Sequence, residues 1–202
     1  MFNGIITLLG IILAIDGDEN LLRATIELQG DNIPEMELGL SLACDGICLT
    51  VREIIKKNIV LVEISKATIS VTNVIHWYKG YAVNIELPIK ASDYLSGHIN
   101  LGHVDCLIEV VEIKNDEHKN HSITFKVPDE YMSFISKRGS VTVNGVALTS
   151  FDINKDKNIF LVNIIPYTFK WTNLSKLIPG NFANLEIDMF MRHIDNYMKN
   201  KK

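Results

Sequence analysis

Two side chains in this sequence are suited to carry chemistry, one cysteine and one histidine. Cys48 lies in the string GICLT, just after a glycine turn and at the start of a predicted strand. A thiolate adds readily to electrophilic carbon, although most free cysteines act as small buried hydrophobes. His103 lies in LGHV, and an imidazole exchanges protons near neutral pH, although a histidine can also be a satisfied core residue. From the residues alone both interpretations stay open.

The elements that must position these residues occur twice along the chain. Gly39–Val51 reads GLSLACDGICLTV and Gly139–Ser150 reads GSVTVNGVALTS. The strings TNV and NIEL in the first half likewise match TNL and NLEI in the second. Self-similarity at a period of about one hundred residues predicts two copies of one small domain, since the units of a solenoid are shorter. Two copies of a fold make two copies of a pocket.

The repeat separates paired residues from unpaired ones. Cys48 corresponds to Ala147 and His103 to Ile5, so both reactive side chains break the symmetry. The matched polar pairs are Thr50 and Thr149, Thr68 and Thr168, Asn73 and Asn173, Asn84 and Asn184, and Glu86 and Glu186. We expect the threonines at strand ends, where their hydroxyls bind a ligand or simply reflect β-propensity. We expect Asn84, Asn184, Glu86 and Glu186 to make turn or inter-strand hydrogen bonds, without a catalytic role.

Composition limits the class of protein. The 202 residues, 47% of them hydrophobic and 22% charged, suffice for two domains of about 100 residues each. A net charge of −4 without a basic stripe disfavours nucleic acid as a partner. Three cysteines and no secretory signal indicate reduced thiols in the cytoplasm. The spacing of Cys44, Cys48, His98 and His103 fits no standard zinc arrangement, so no metal site is predicted.

Short β-branched runs bounded by turn residues, NIVLVEISKATISV among them, predict an all-β barrel or sandwich. The apolar stretch 4–15 is too short to span a membrane and predicts two buried strands around a bend at Gly10. We expect a short helix over Asp129–Lys137 after Pro128, with its repeat partner around Pro34–Leu40. Apolar residues at helical spacing in 189–202 predict an amphipathic tail helix that makes an oligomer contact.

Taken together, these strings resemble the riboflavin synthase family, of the two-barrel lumazine-binding type. They are MFNGII, DGICLTV, TNV, SGHINLGHVD, NGVALT and IPYTF with TNL, in the family's order and over essentially the whole chain. The resemblance implies two tandem six-stranded Greek-key β-barrels, over residues 1–97 and 98–188, and a C-terminal helix over 189–202 that forms a homotrimer. Whether lumazine synthase is a further partner stays open.

The resemblance also implies a reaction. Two molecules of 6,7-dimethyl-8-ribityllumazine dismutate to riboflavin and a ribitylamino-pyrimidinedione, without a metal or redox cofactor, between the N-barrel of one subunit and the C-barrel of its neighbour. Cys48 would lie beside one lumazine, where a thiol, water or hydroxide adds to the ring. His103 would move the acidic proton of the C7 methyl group. His98 either holds the loop between the domains or touches the ligand.

Substrate contacts are implied at the positions that match the family's pattern. These are Gly4, Ile5, Ile6, Ser41, Cys48, Leu49, Thr50, Glu63, Ile64, Ser65, Lys66, Ala67, Thr68, Gly102, His103, Val104, Arg138, Ala147, Leu148, Thr149, Asn163, Ile164, Ile165, Pro166, Tyr167 and Thr168. The chain departs from the pattern at Ala67, Leu101, Arg138, Asn144 and Ala147, where the family has Glu, Ser, Lys, Asp and Ser. The hydroxyl missing at 147 would lie beside the ligand and near His103.

Two other functions fit the same fold. A non-catalytic lumazine- or flavin-binding relative would keep the barrels and lose the reaction, and a structural protein would use them for protein contacts only. Cys48, His103 and the tail helix favour the enzyme over the first alternative. The LT and TN strings kept in both halves argue against the second.

Overall fold

The computed structural model describes residues 1–30, 32–117 and 120–199, which form two closed antiparallel barrels of six strands each, followed by a helix. The strands of the first barrel are β1 (Leu8–Gly17), β2 (Leu21–Gln29), β3 (Ser41–Cys44), β4 (Ile47–Lys56), β5 (Ile59–Ser65) and β6 (Ala82–Glu86). Those of the second are β7 (Cys106–Asn115), β8 (His121–Lys126), β9 (Ser140–Val143), β10 (Val146–Asn154), β11 (Ile159–Ile164) and β12 (Phe182–Ile187).

Both barrels have the same strand order. Around the first it is β1-β2-β5-β4-β3-β6, and around the second the matching β7-β8-β11-β10-β9-β12. In each, three hairpin-connected strands lie beside a fourth that returns over a longer connection, which is a Greek key. The predicted fold class, two repeated six-stranded barrels and a C-terminal helix, is therefore confirmed.

Alternation along the strands fills each barrel. In β5 every second residue is buried, with Val60, Val62 and Ile64 at 0% exposure, because successive side chains point to opposite faces of a strand. The first core consists mainly of such aliphatic residues, and the second adds the pair Phe125 and Phe160, whose rings are tilted by 33°. No helix in the described part of the chain is long and apolar enough to cross a membrane.

The prediction of two strands around a bend at Gly10 is wrong. Strand β1 runs unbroken through Gly10 and carries its irregularity later, between Ile12 and Ala14. A Cβ at Gly10 would lie 2.7 Å from Ile26 Cγ2 and 2.9 Å from Val83 Cγ1. Glycine is therefore needed there for close packing between neighbouring strands and not for a turn.

The helices are α1 (Lys66–Ile69), α2 (Asp129–Met132), α3 (Pro166–Trp171) and α4 (Met189–Lys199), with 3₁₀ turns at Asn73–His76 and Asn173–Lys176. The predicted strand run through 58–71 is wrong beyond Ser65, whose hydroxyl accepts from the amide of Thr68 and begins α1. Thr68 and Thr168 consequently lie in short helices and not at strand ends.

Two other helix predictions need correction. Helix α2 ends at Met132 instead of Lys137, and Pro128 stands at its N-cap instead of inside its first turn. Its expected partner around Pro34–Leu40 is not helical. Helix α4 follows the second barrel as predicted, although residues 200–202 of the predicted segment lie outside the described residues.

A pseudo-two-fold arrangement joins the barrels. The turns after β3 and β9 meet back to back, and a Cβ on Gly46 would lie 2.7 Å from the amide nitrogen of Gly145. Around them Asn73 N donates to Asn184 Oδ1 at 2.7 Å, and Asn173 N donates to Asn84 Oδ1 at 2.6 Å. The repeated asparagines thus link the two barrels, which corrects the expectation of turn or inter-strand bonds only.

Candidate functional site

Each barrel has one rim that is completed by a loop from the other half of the chain. The amide of Cys48, in β4 of the first barrel, donates to the carbonyl oxygen of Gly102 at 2.9 Å. The amide of Ala147, in β10 of the second barrel, donates to the carbonyl oxygen of Gly4 at 2.8 Å. We call these the Cys48 rim and the Ala147 rim.

Packing agrees with this exchange of loops. Val104, which precedes the second barrel, packs against the core of the first, and Ile6, which precedes the first barrel, packs against the core of the second. The two segments also pair with each other, since the amides of Phe2 and Asn100 donate reciprocally at 2.8 and 3.0 Å. Each rim therefore forms only when both barrels are folded and docked.

The structure brings Cys48 and His103 to the same rim. Cys48 is half-buried and His103 is exposed, so both sulfur and imidazole can meet a ligand. A Cβ at Gly102 would lie 2.6 Å from Cys48 Cβ, and Gly102 has a φ of +76°. Only glycine combines this backbone conformation with so close an approach. The reactive pair predicted from sequence thus lies together, in different halves of the chain.

A carboxylate under each loop holds its backbone. Glu186 accepts from the amides of Leu101 at 2.8 Å and Gly102 at 3.0 Å, and Glu86 accepts from those of Asn3 at 2.6 Å and Gly4 at 3.0 Å. Burial raises the pKa of Glu86 to about 7 and also raises that of Glu186, against the lowering effect of the amide bonds. These positioning roles were missed from sequence, although the repeated N-x-E string was the available signal.

The rest of the Cys48 rim comes from β3, β4, β5 and α1. Thr50 is exposed and pairs in register with Ser41, so both hydroxyl side chains lie on one edge. Thr68 contacts the hydroxyl of Ser65 at 3.2 Å. Two of the predicted contacts already have protein partners: Glu63 pairs with Arg23 at 3.1 Å, and Lys66 donates to Asn20 at 3.2 Å.

The Ala147 rim is built from the corresponding elements of the second barrel, but its exposed side chains are more apolar than those of the Cys48 rim. Ile5, Ile165 and Tyr167 are exposed there, where the Cys48 rim has His103, Ser65 and Ala67. Thr149 pairs in register with Ser140, as Thr50 does with Ser41. Exposed aliphatic and aromatic side chains give this rim a surface suited to a flat ring.

Several predicted contacts point away from solvent. Leu49, Ile64 and Ile164 are buried at 4%, 0% and 1% exposure, so only their backbone can meet a ligand. Arg138 is exposed and has a φ of 63°. The remaining predicted residues Leu148, Asn163, Pro166 and Thr168 lie in or directly after β10 and β11.

Ala147 lies elsewhere than the sequence suggested. It contacts Gly4, and a Cβ on Gly97 would lie 3.0 Å from its side chain, whereas His103 belongs to the loop on Cys48. Within one chain the missing hydroxyl is thus on the other rim from His103, because the two loops are exchanged.

His98 holds the loop between the barrels. Its Nε2 lies 3.0 Å from the hydroxyl of Thr142, which also donates to Asn100. Burial lowers the pKa of His98, a shift opposed by Asp188. Among the described residues no group of His, Cys, Asp and Glu is arranged to hold a metal ion.

A cleft of about 590 Å³ lies away from both rims. It opens between the barrels, where His76 stacks on Phe182 with ring centroids 5.7 Å apart. None of the predicted site residues lines it. The predicted contacts lie around the two rims instead.

Comparison with known proteins identifies the domain that occurs twice in this chain. The chain matches the lumazine binding domain twice, over residues 3–88 and 101–188. It is 32% identical over 198 residues to riboflavin synthase of Photobacterium phosphoreum, covering 98% of this chain and 89% of that protein. It is 35% identical over 189 residues to riboflavin synthase of Escherichia coli strain K12, covering 93% and 87%.

A solved structure shows the same architecture. LumP complexed with 6,7-dimethyl-8-(1'-D-ribityl) lumazine superimposes with a TM-score of 0.82 at 25% identity, covering 93% of this chain and 99% of that one.

Proposed function

The chain belongs to the riboflavin synthase family, and we propose that it converts two molecules of 6,7-dimethyl-8-ribityllumazine into riboflavin and 5-amino-6-ribitylamino-pyrimidinedione. A four-carbon unit passes from one lumazine to the other. The two substrates together contain the same atoms as the two products, so the reaction needs no oxidant or reductant. It does need two sites for one kind of molecule.

The observation that carries this proposal is the pair of pseudo-equivalent rims with unequal chemistry. Both present a threonine and a loop glycine, at Thr50 with Gly102 and at Thr149 with Gly4. Only one presents a thiol and an imidazole. Similar shapes bind the same molecule, and unequal side chains let one copy act as donor and the other as acceptor.

We assign the proton transfer to His103. An exposed imidazole at the edge of a bound lumazine is suited to remove the acidic proton of the C7 methyl group and to return it later. Cys48 lies beside the same ring, where its sulfur adds to the ring or assists the addition of water or hydroxide.

The two lumazines are proposed to meet between subunits. Each rim is an open edge, and within one chain the rims use different loops. The Cys48 rim of one subunit would therefore face the Ala147 rim of its neighbour. Helix α4 supplies a contact for a homotrimer, because Phe190, Ile194 and Met198 are each more than half exposed.

The location of the protein in the cell and its association with lumazine synthase remain predictions. All three cysteines are unpaired, which agrees with a reducing compartment such as the cytoplasm. The domain limits 1–97, 98–188 and 189–202 are likewise proposed, with the boundary in the segment between β6 and β7.

The test is to mix the protein with 6,7-dimethyl-8-ribityllumazine alone and follow the absorbance of riboflavin. One riboflavin formed for every two lumazines consumed supports the enzyme. Tight binding without product would instead favour the second candidate, a lumazine- or flavin-binding protein, for which the missing hydroxyl at Ala147 is the specific observation. No binding would contradict both.

A further inference from the structure

The loop that carries His103 is next to an ion pair that its counterpart lacks. Glu186 binds its amides at Leu101 and Gly102, and Cys48 binds the carbonyl of Gly102. The loop that carries Ile5 has the equivalent contacts to Glu86 and to Ala147. Up to this point the two loops are symmetric.

An additional ion pair is formed on the His103 side. Arg192 Nη2 lies 2.8 Å from Asp105 Oδ1 and 2.7 Å from Asp105 Oδ2, and 3.5 Å from the carbonyl oxygen of His103. Asp105 Oδ2 also accepts from the amide of Ile187 at 2.8 Å. The guanidinium therefore joins helix α4 to Asp105 and to the backbone of His103, the residue that carries the imidazole.

The environment makes this pair stronger than an ordinary surface contact. The side chain of Asp105 is only 14% exposed and that of Arg192 30%, so water screens their attraction incompletely. For comparison, Lys199 and Asp195 on the same helix form an ion pair whose lysine is 70% exposed. Both carboxylate oxygens accept from the same nitrogen, Nη2, and such charge-assisted hydrogen bonds are stronger than those between neutral groups.

Comparison of the two repeats indicates the role of the ion pair between Arg192 and Asp105. The repeat counterpart of Asp105 is Thr7, which donates to Ile85 of its own barrel at 3.5 Å. In the described residues no helix follows the first barrel to supply a counterpart of Arg192, since β6 ends at Glu86 and β7 follows it. The extra contact therefore accompanies the one loop of the two that carries an imidazole.

We infer that Arg192 is a positioning residue for His103. The inference rests on the proposed function, in which His103 moves the proton. Helix α4 presents its exposed apolar face outward while Arg192 reaches inward, so one helix both offers the subunit contact and orders the proton-transfer loop. A small displacement of a reacting group lowers turnover strongly, by about 100-fold for an error near 1 Å.

The test compares Arg192→Gln, Arg192→Lys and the matched control Lys199→Gln on the same helix. Arg192→Gln should lower kcat at least about ten-fold with KM changed less than about three-fold. Arg192→Lys keeps a charge for Asp105 and should recover much of the loss, whereas Lys199→Gln should leave kcat unchanged. Light scattering must show that each variant keeps the wild-type oligomeric state.

A cycle with Asp105→Asn distinguishes shared from separate roles. If both residues act through one contact, the double variant should be no slower than the slower single variant. An unchanged kcat for Arg192→Gln would overturn the inference. So would a loss of kcat that follows loss of the oligomer, because Arg192 would then serve assembly only.

Hydrogen exchange separates failure of this inference from failure of the proposed function. In Arg192→Gln the amides of 101–105 should exchange faster, while those of 3–7 should not. If the wild-type protein binds lumazine without forming riboflavin, the function fails and this measurement alone decides. Faster exchange confined to 101–105 would still support the positioning role, and equal exchange would reject it.

Discussion

The amide of Cys48 donates to the carbonyl oxygen of Gly102 at 2.9 Å, across the junction between the two halves of the chain. Because His103 follows Gly102, this bond brings Cys48 and His103 together, although Cys48 lies in β4 and His103 precedes β7. A pair assembled in this way exists only in the folded two-barrel protein.

Replacing His103 by glutamine should remove proton transfer and leave binding almost intact. Glutamine keeps the size and polarity of the side chain but does not exchange protons near neutral pH. We expect kcat to fall by roughly 100-fold or more, with the lumazine dissociation constant within about three-fold of wild type. Steady-state kinetics and lumazine fluorescence measure the two quantities.

The control for that substitution is His76→Gln. His76 lies in the separate cleft and stacks on Phe182, away from both rims. This variant should turn over as the wild type does. If His103→Gln kept full turnover, the assignment of the proton transfer would be wrong.

Cys48 should be alkylated before the other two cysteines. Cys44 and Cys106 are buried, and burial raises the pKa of both thiols, that of Cys106 to about 12 and that of Cys44 well above its ordinary value. Their thiolate forms are therefore scarce at pH 8, whereas Cys48 is partly accessible. Peptide mass spectrometry after brief iodoacetamide treatment gives the order.

Bound lumazine should slow the labelling of Cys48 several-fold and leave the other cysteines unaffected. Iodoacetamide is small and does not resemble the ligand. Slower labelling of Cys48 alone therefore reports local protection and not a general change in stability. Equal labelling with and without lumazine would place the ligand elsewhere than at the Cys48 rim.

The duplicated strings were sufficient to predict the barrels but not how their loops are shared. MFNGII and INLGHV end at the same distance before the first strand of each barrel, so the repeat is the same whether each loop completes its own barrel or the other one. What decides is packing: Ile6 fits the second core and Val104 the first. The exchange of the two loops depends on these tertiary contacts, so it cannot be predicted from the repeat in the sequence.

Local patterns failed where a single contact outweighed a run of residues. The β-branched run through Thr68 predicts strand, but the hydroxyl of Ser65 binds the amide three residues later and begins a helix. Gly10 predicts a bend, but close packing against Ile26 explains it. Apolar spacing predicts the tail helix but not the role of Arg192, because the contact of its guanidinium with Asp105 exists only in the folded protein.

Ala147→Ser should raise activity if the missing hydroxyl is a real deficit. Ala147 lies on the rim next to Gly4, where a serine side chain could reach a ligand. One added hydrogen bond contributes about 0.5–1.5 kcal/mol, which corresponds to an increase in kcat/KM of roughly two- to ten-fold. Ala91→Ser, at an exposed position in the segment between β6 and β7, is the matched control. An unchanged kcat/KM would mean that the pocket compensates elsewhere.

The buried carboxylate at the centre of the interface should make stability depend on pH. Asp45 Oδ1 accepts from Asn84 N and Asn173 Nδ2, and Oδ2 accepts from Asn73 Nδ2 and the hydroxyl of Tyr81. Burial nevertheless raises the pKa of Asp45 from 3.8 to about 6, because the hydrogen bonds only partly offset desolvation.

The direction of the pH dependence follows from how many protons the folded and unfolded states bind. Between pH 4 and 6 the unfolded chain has already released the Asp45 proton while the folded protein retains it, so the free energy of unfolding falls as pH rises. The loss should amount to about 3 kcal/mol by pH 7. Asp45→Asn removes the titrating group and places here the side chain that Asn144 already provides in the second half.

We therefore expect the free energy of unfolding of Asp45→Asn, relative to that of wild type, to increase by about 3 kcal/mol between pH 4 and pH 7. At every pH it is also lowered by a constant of about 1 kcal/mol, because the hydrogen bond from Asn73 is lost. Urea unfolding at several pH values measures the difference. Asp156→Asn, which removes an exposed turn carboxylate outside the network, is the control. Parallel curves for wild type and Asp45→Asn would show that the interface tolerates the charge, and that the amides around it solvate the carboxylate as well as water does.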